Sequence, residues 1–228
     1  MKKMFFIIML IVIVSGVLVL GAFLWTNKTN KRINISTGSI HELKTETLKI
    51  SDVKTIDLRL RSAIVKIENG TKNEIYLKDV AKNQFIVNND NKILKVYEDD
   101  AQHHQIEIGK TPTIVLTVSN PYLKDVIINQ LNGTLKLKNL SIETLSIKHS
   151  NGGTFLRNLT INDSSQLIKK NGSTTLSKVK VPGITVSVDN GQFKLNGEKK
   201  ATSGGKYHQG GLSGLVIHSG SGQVVLNE

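Results

Sequence analysis

Two adjacent histidines, His103 and His104, follow three acidic residues, Glu98, Asp99 and Asp100. Imidazole nitrogens and carboxylate oxygens are the usual ligands of zinc and related ions. Successive side chains of a strand point to opposite faces, so two adjacent histidines are poorly placed to share one ion. We therefore interpret this cluster as a solvated turn, and we predict no metal site and no cofactor.

A glycine-rich stretch over residues 203–214, SGGKYHQGGLSG, lies among basic and aromatic side chains. Glycine-rich loops cradle phosphates where they open a helix, but no helical pattern follows this stretch and the Walker spacing is missing. Long loops of repeat proteins often carry binding residues. We therefore predict an inserted loop that contacts a polyanion or a partner protein. Its predicted contact residues are Lys199, Lys200, Lys206, Tyr207 and His208.

The acidic side chains of residues 121–228 are few. Glycan hydrolysis needs two convergent carboxylates, and serine-based catalysis needs a base and a strained nucleophile turn. Alignment of the sequence on its repeats, described below, suggests that no two of the six acids share a column: Asp125, Glu143, Asp163, Asp189, Glu198 and Glu228. We therefore predict no catalytic residues and a non-enzymatic protein.

Positive charge is concentrated in one half of the chain. Residues 33–120 hold 12 basic and 12 acidic side chains, whereas residues 121–228 hold 13 basic and 6 acidic ones. Eight lysines are predicted at or beside outward positions: Lys136, Lys138, Lys148, Lys169, Lys170, Lys178, Lys180 and Lys194. Such a surface attracts anionic wall polymers or lipid head groups, unless it serves only solubility. Nucleic acid is disfavoured because aromatic platforms are missing and Lys outnumbers Arg.

The segment from Met4 to Trp25 runs 22 residues without a charge, which is long enough for a helix to cross a bilayer. A cleaved signal peptide has a shorter apolar run and small residues before the cut, but the best candidate site here has Leu20 at position −3. We predict an uncleaved signal anchor over residues 1–25 and a polar tether over residues 26–45. We expect the bulk of the chain outside the cell membrane, because large domains translocate largely regardless of flanking charge.

Asn-Gly recurs along residues 121–228. Its glycines, Gly133, Gly152, Gly172 and Gly191, follow one another at intervals of 19, 20 and 19 residues, and Ser221-Gly222 is a fifth copy. A leucine stands four residues after each glycine: Leu137, Leu156, Leu176, Leu195 and Leu226. Apolar residues two apart within each unit are typical of a strand with one buried face. Asn-Gly supplies the positive φ of a tight corner.

A unit of about 20 residues cannot bury its own apolar face, so successive units must stack. We predict a β-solenoid-like all-β domain over residues 121–228, with an inner leucine ladder. The corner asparagines are expected to form an amide ladder: Asn132, Asn151, Asn171 and Asn190. Residues 46–120 alternate without a fixed period and are predicted to be opening strands of the same domain. A meander of hairpins is the alternative, because Asn-Gly is also a hairpin signal.

The order of these patterns from about Leu48 to Glu228 resembles one bacterial group. Alternating strands lead into the segment TIVLTVSNPYLKDVIINQLNGTLKLKNL, and then into units in which Asn-Gly precedes a leucine. This order is similar to that of the bacterial β-strand-repeat family of adhesin-like proteins, which includes proteins associated with envelope stress in Gram-positive bacteria. The resemblance implies a β-solenoid-like fold at the cell envelope, and it supplies no catalytic residues.

These patterns predict a membrane-anchored extracellular scaffold that binds an anionic wall polymer or an envelope protein. The alternative is an accessory protein of an envelope-stress response that acts through a membrane partner. The sequence stops two residues after Leu226 with no capping helix. We therefore expect the C-terminal coil to offer an unpaired strand edge, through which the protein could self-associate.

Overall fold

A computed structural model describes residues 2–211 and 213–228. It contains an N-terminal apolar helix, α1 (Lys2–Thr29), followed by strands alone. The strands are β1 (Lys31–Asn34), β2 (Ser39–Lys49), β3 (Thr55–Asn69), β4 (Glu74–Ala81), β5 (Phe85–Asp90), β6 (Ile93–Glu98), β7 (Glu107–Ile108), β8 (Thr113–Val118), β9 (Tyr122–Ile161), β10 (Ser165–Asn171), β11 (Thr174–Lys180), β12 (Gly183–Leu195), β13 (Glu198–Thr202), β14 (Gly205–Gly210) and β15 (Leu215–Asn227). The predicted β-rich chain with one apolar helix is confirmed.

The helix α1 is, in the described part of the chain, the one helix long and apolar enough to span a membrane. Its segment Lys3–Thr29 has a mean hydropathy of 3.0 over its most apolar window, none of which is buried against the strands. The helix continues past the apolar run for one polar turn, where the hydroxyl of Thr29 donates to the carbonyl of Trp25 at 2.8 Å. A helix of this length and composition is typical of a membrane anchor or of a signal sequence.

The polar tether predicted over residues 26–45 is wrong. These residues form the last turn of α1, the strand β1 and part of β2. β1 pairs antiparallel with both β2 and β7, and the side chain of Arg32 on β1 is buried. A four-residue polar strand is too short to show a hydrophobic period, so pattern reading could not find it.

Most other strands pair in parallel, and we call each stretch of chain between successive register partners a coil and the set of paired coils the stack. β3 pairs with the first part of β9, from Thr55↔Asp125 to Glu68↔Lys138. β10 and β11 pair with its second part at an offset of 20 residues. A meander of hairpins would give antiparallel neighbours instead. Asn-Gly therefore marks a corner inside each coil, and we call the strand before it the upstream arm and the strand after it the downstream arm.

The corners require glycine. Gly152 has a φ of +119° and Gly172 one of +108°, which side chains with a Cβ rarely adopt. In addition, a Cβ at Gly152 would overlap the carbonyl oxygen of Gly133, and one at Gly172 would overlap that of Gly152. The recurring Asn-Gly is thus set by close backbone approach as well as by φ.

The coils do not stack in chain order. The last strand, β15, pairs in parallel with β10 and β11 on one side and with β12 on the other. The expectation that the C-terminal coil presents an unpaired edge is therefore wrong. The 19-residue period suggested that the unit at Gly191 follows the unit at Gly172 in space, but the coil at Gly222 lies between them.

Both predicted ladders are present in modified form. The leucines four residues after each corner glycine line the interior, with Leu226 between Leu176 and Leu195. Among the corner amides, Asn151 donates to Asn132 at 2.9 Å and Asn171 donates to Asn151 at 2.8 Å. Asn190 does not join this ladder, because Ser221 lies between it and Asn171.

Residues 46–120 also contribute coils, although they lack the repeat. The two ends of β3 pair in parallel with β6 and β8, so these two strands act as upstream and downstream arms. At the corner of β3, Ser62 and Ala63 stand opposite Asn132 and Gly133. β2 and β4 then pair antiparallel with each other, and β4 pairs antiparallel with β8, which closes the end of the stack near α1.

Candidate functional site

The five residues predicted as a contact loop lie on a β-hairpin, because residues 198–210 form β13 and β14. Both strands pair antiparallel with β12 and cover the end of the stack farthest from α1 in strand order. The hairpin therefore replaces the inserted loop that the glycine content suggested. Its short, lysine-bearing strands are the usual form of an edge that resists pairing with other chains.

The hairpin does not bring its five predicted residues together. Tyr207 turns inward, and its ring lies 5.1 Å from that of Phe193. Lys200 forms an ion pair with Glu198 at 2.7 Å, and this hydrogen bond raises the pKa of Lys200. Lys206 and His208 are exposed and opposite the upstream arm of β12, whereas Lys199 is opposite its downstream arm.

Exposed and half-buried basic side chains lie on the downstream arms. One row of side chains crosses the strands in the order Lys66, Lys136, Phe155, Thr175, Val225, Lys194 and Lys199, as the register of the paired strands shows. The next row holds Lys138 and Arg157. We call five of these residues the basic strip: Lys136, Lys138, Arg157, Lys194 and Lys199. Strand neighbours are about 4.8 Å apart, so the strip extends over roughly 24 Å.

The basic strip carries uncompensated charge. None of its five residues forms an ion pair in the described part of the chain. The neighbouring Lys66 differs, because its ammonium is paired with Glu68 at 2.6 Å. Lys136 lies over the half-exposed ring of Phe155 at 5.8 Å, a cation–π arrangement. The strip is therefore a positively charged surface with one aromatic platform, and it is interrupted at the coils of Thr175 and Val225.

The arrangement of strands is found in known structures. A crystal structure from Clostridium sporogenes, named a "putative cell adhesion protein", superposes with a TM-score of 0.56 at 14% sequence identity, over 82% of this chain and 99% of that chain. The two proteins share a fold. At this identity the similarity reports the fold and leaves the ligand open.

Two further structures match at lower similarity. A "putative adhesin" from Bacteroides fragilis has a TM-score of 0.32 at 12% identity and covers 82% of this chain and 97% of its own. A "putative lipid binding protein" from Parabacteroides distasonis has a TM-score of 0.33 at 10% identity, with coverages of 81% and 93%. No protein-family model and no curated protein matches the chain.

The histidine cluster and the acids are placed on the surface. His103 and His104 are both exposed in a turn, where His103 lies 2.7 Å from Asp100. Within residues 2–211 and 213–228, no three potential ligands among His, Asp and Glu come together. The inference that no two acids share a column is wrong, because Asp163 lies beside Glu143 of the neighbouring coil, where its backbone N–H donates to the backbone carbonyl of Glu143 at 3.0 Å.

A column of polar side chains lies inside the stack. Gln130, His149, Lys169 and Ser219 occupy equivalent positions of successive coils and are all buried. Lys169 donates to Nδ1 of His149 at 2.9 Å and to Oγ1 of Thr154 at 3.4 Å. The prediction that placed Lys169 with the outward lysines is therefore wrong.

Burial controls the ionisation of this polar column. It lowers the pKa of Lys169 from 10.5 to about 8. Burial, together with the neighbouring ammonium of Lys169, lowers the pKa of His149 to about 4. His149 is therefore neutral at pH 7, while Lys169 is mostly charged. The sequence contained a signal for this cluster, because Lys169 is in step with the inward residues Ser165 and Leu167.

A second buried network ties the first strand after α1 to the domain. Arg32 donates to the carbonyls of Asp79 and Lys110 at 2.6 and 2.7 Å and to the side chain of Gln84 at 3.0 Å. Burial lowers the pKa of Arg32, although the carboxylates of Glu107 and Glu98 oppose this effect. A polar cavity of about 420 Å³ lies beside this network.

The crossing from β11 to β12 leaves a groove. Its volume is about 650 Å³ and its lining includes Val179, Val181 and Leu226. Lys178 and Lys180 flank these apolar residues. The groove exists because the chain must step across the edge of β15 to reach its position in β12.

Proposed function

We propose that the protein is a non-enzymatic scaffold of adhesin type that is anchored in the cell membrane by α1 and displays its β domain outside the cell. The stacked coils, in this proposal, are a β-solenoid with antiparallel strands at each end. The fold shared with the Clostridium sporogenes structure, whose name refers to cell adhesion, supports this proposal. The unburied apolar helix supports the anchor.

The proposed ligand is an anionic polymer of the cell envelope, bound along the basic strip. The strip is the single observation that carries this proposal, because its five charges lie in two adjacent rows. Lys136, Lys138 and Arg157 lie on two neighbouring coils, and Lys194 and Lys199 lie beyond two coils that carry no charge in these rows. A polymer with regularly spaced phosphates can contact several such rows at once. Weak individual contacts then add up through repetition along the chain of the polymer.

A binding experiment tests this ligand. The full chain in detergent micelles is titrated with poly(glycerol phosphate), and the same titration is repeated with the triple variant Lys136→Gln, Arg157→Gln, Lys194→Gln. At about 0.5 kcal/mol per exposed charge, the variant should bind about tenfold more weakly. Binding of the wild type should also fall steeply between about 50 and 500 mM salt.

The matched control removes the same charge elsewhere. The residues Lys72, Lys95 and Lys148 are exposed and lie outside the basic strip, so their replacement by Gln should leave the affinity within about twofold. Equal losses in both triple variants would show that net charge alone determines binding. Absence of any wild-type binding at low salt would refute the proposed ligand.

The membrane topology is tested by labelling. The chain has no cysteine, and Thr71 is exposed in the turn between β3 and β4, so Thr71→Cys provides a unique accessible thiol. Labelling by a membrane-impermeant maleimide in intact cells, with the protein in the membrane fraction, is the expected result. Labelling only after lysis would place the domain on the other side of the membrane and exclude wall polymers as ligands.

A second candidate function is an accessory role in an envelope-stress response through a membrane partner. The observation that favours it is the Arg32 network, which couples the exit of α1 rigidly to β1, to Asp79 and to Lys110. Such coupling would transmit a contact made within the membrane to the domain. A contact between apolar helices is insensitive to ionic strength. Binding of a membrane partner that persists at high salt would therefore distinguish this function from polymer binding, which salt weakens.

A further inference from the structure

We infer that the interior of the stack holds a binding site for a small monovalent anion, of the chloride class, beside the ammonium of Lys169. This site is separate from the basic strip and does not depend on the proposed function. Lys169 is only 1% exposed, and an isolated buried charge is costly unless a partner compensates it.

No side chain of the surrounding columns supplies that compensation. In its own column, Lys169 lies between His149 and Ser219. Across the corner the facing column holds Thr154, Thr174 and Val224. None of these residues is acidic, and His149 is kept neutral by burial. The charge of Lys169 is therefore unbalanced within the described part of the chain.

Two hydroxyls in the neighbouring coils can donate hydrogen bonds but lack a partner, as do Oε1 of Gln130 and Nε2 of His149 in the column of Lys169. The ammonium has three protons, and its two acceptors are Nδ1 of His149 and Oγ1 of Thr154. The hydroxyls of Thr174 and Ser219 are buried without a hydrogen-bond partner. Ser219 is the register partner of Lys169. Thr174 is the register partner of Thr154, and the hydroxyl of Thr154 contacts Nδ1 of His149.

An anion satisfies both requirements at once. It accepts from the third ammonium proton and from the two hydroxyls, and it neutralises the lysine. A water molecule in the same place would satisfy the hydroxyls but would leave the charge unbalanced. Lys169, Thr174 and Ser219 are fully buried inside the packed stack, so the class proposed is a single-atom anion rather than the larger phosphate or sulfate.

The experiment measures the thermal unfolding of the full chain in detergent, by circular dichroism, in sodium chloride and in sodium gluconate at equal ionic strength. Gluconate is too large to enter the stack. At a chloride concentration about tenfold above its dissociation constant, the unfolding midpoint should be about 3 to 6 °C higher than in gluconate. Equal midpoints in the two salts would overturn the inference.

Three variants locate the effect. Lys169→Met should remove the response to chloride, whereas Lys170→Met, which replaces the adjacent exposed lysine, should keep it in full. Thr174→Val preserves both shape and lysine, so it should fold and should need a severalfold higher chloride concentration for the same shift. A wild-type response in Lys169→Met would mean that chloride acts elsewhere, and an unchanged response in Thr174→Val would contradict the donor set.

Crystals grown in bromide give a direct readout. An anomalous difference peak next to Nζ of Lys169 is the expected result. A water molecule at that place, with no anomalous signal, would overturn the inference even if the thermal shifts were observed.

Discussion

Replacing Lys169 by Met should stabilise the protein at neutral pH when chloride is absent. Burial lowers the pKa of Lys169 from 10.5 to about 8, and each pKa unit corresponds to about 1.4 kcal/mol. The charged lysine therefore costs the folded state about 3 kcal/mol below pH 8. Methionine fills a similar volume without a charge, and such replacements of buried ions are often neutral or stabilising.

The hydrogen bonds of Lys169 offset part of this gain. Its bonds to His149 and Thr154 contribute roughly 1 to 2 kcal/mol together, and these two partners, which lie 2.8 Å apart, still bond to each other in the variant. We therefore expect Lys169→Met to be about 1 to 2 kcal/mol more stable than the wild type at pH 7 in gluconate.

The pH dependence identifies the cause. Between pH 8 and 10.5 the unfolded chain keeps the lysine proton while the folded chain has lost it, so the free energy of unfolding of the wild type rises with pH in this window. The variant lacks this rise, and its advantage should vanish and reverse by about pH 10.

The free energies of unfolding of the wild type and of Lys169→Met are compared by urea unfolding of the full chains in detergent. Circular dichroism monitors the unfolding at several pH values from pH 7 to pH 10.5. Lys170→Met provides the control for removing a lysine without a buried charge. A stability difference between Lys169→Met and the wild type that stays constant with pH would refute the reasoning.

Three further predictions concern stability. Gly152→Ala should destabilise the protein by more than about 3 kcal/mol in urea unfolding, because the added Cβ would overlap the backbone of Gly133. The control is Gly197→Ala, where φ is positive but no atom lies within 4 Å of the added Cβ, and it should cost only about 1 kcal/mol. Arg32→Met should cost about 3 kcal/mol by breaking a buried network. The same change at Arg59, whose own side chain is 60% exposed although its partner Asp57 is mostly buried, should cost about 1 kcal/mol, and equal losses would contradict the role of burial. Finally, the pKa of about 4 for His149 predicts that stability falls by about 3 kcal/mol from pH 6.5 to pH 4, since only the unfolded chain takes up the proton there, and that His149→Leu lacks this component of acid sensitivity.

Local patterns were sufficient for the elements whose cause is local. The uncharged run up to Trp25 predicted the apolar helix, and the recurrence of Asn-Gly predicted the corners. The leucines four residues after each corner glycine predicted an inner row, and the asparagine ladder was correct from Asn132 to Asn171. The helix follows from the length of one uncharged run, and the other features depend on a period of 2 or of about 20 residues that the sequence displays directly.

Features that depend on long-range register could not be predicted in the same way. No local pattern shows that β15 separates β10 and β11 from β12, because all corner units look alike. The basic strip is a property of rows across coils, so its members are far apart in the sequence. At Lys169 the two available signals disagreed: the alternation of residues placed the side chain inward, and the general rule that lysine is solvated placed it outward.

The position of β15 has a consequence for the order of events during synthesis. β12, β13 and β14 are synthesised before β15, yet β12 is joined to the coils of β10 and β11 only through β15. The growing chain therefore holds an unfinished parallel edge, with the Gly183–Gly210 segment waiting, until the last thirteen-residue strand is available. Completion is thus a single late closing step, and a chain interrupted within residues 211–227 displays two open edges at once, which makes it a ready substrate for proteases and for aggregation.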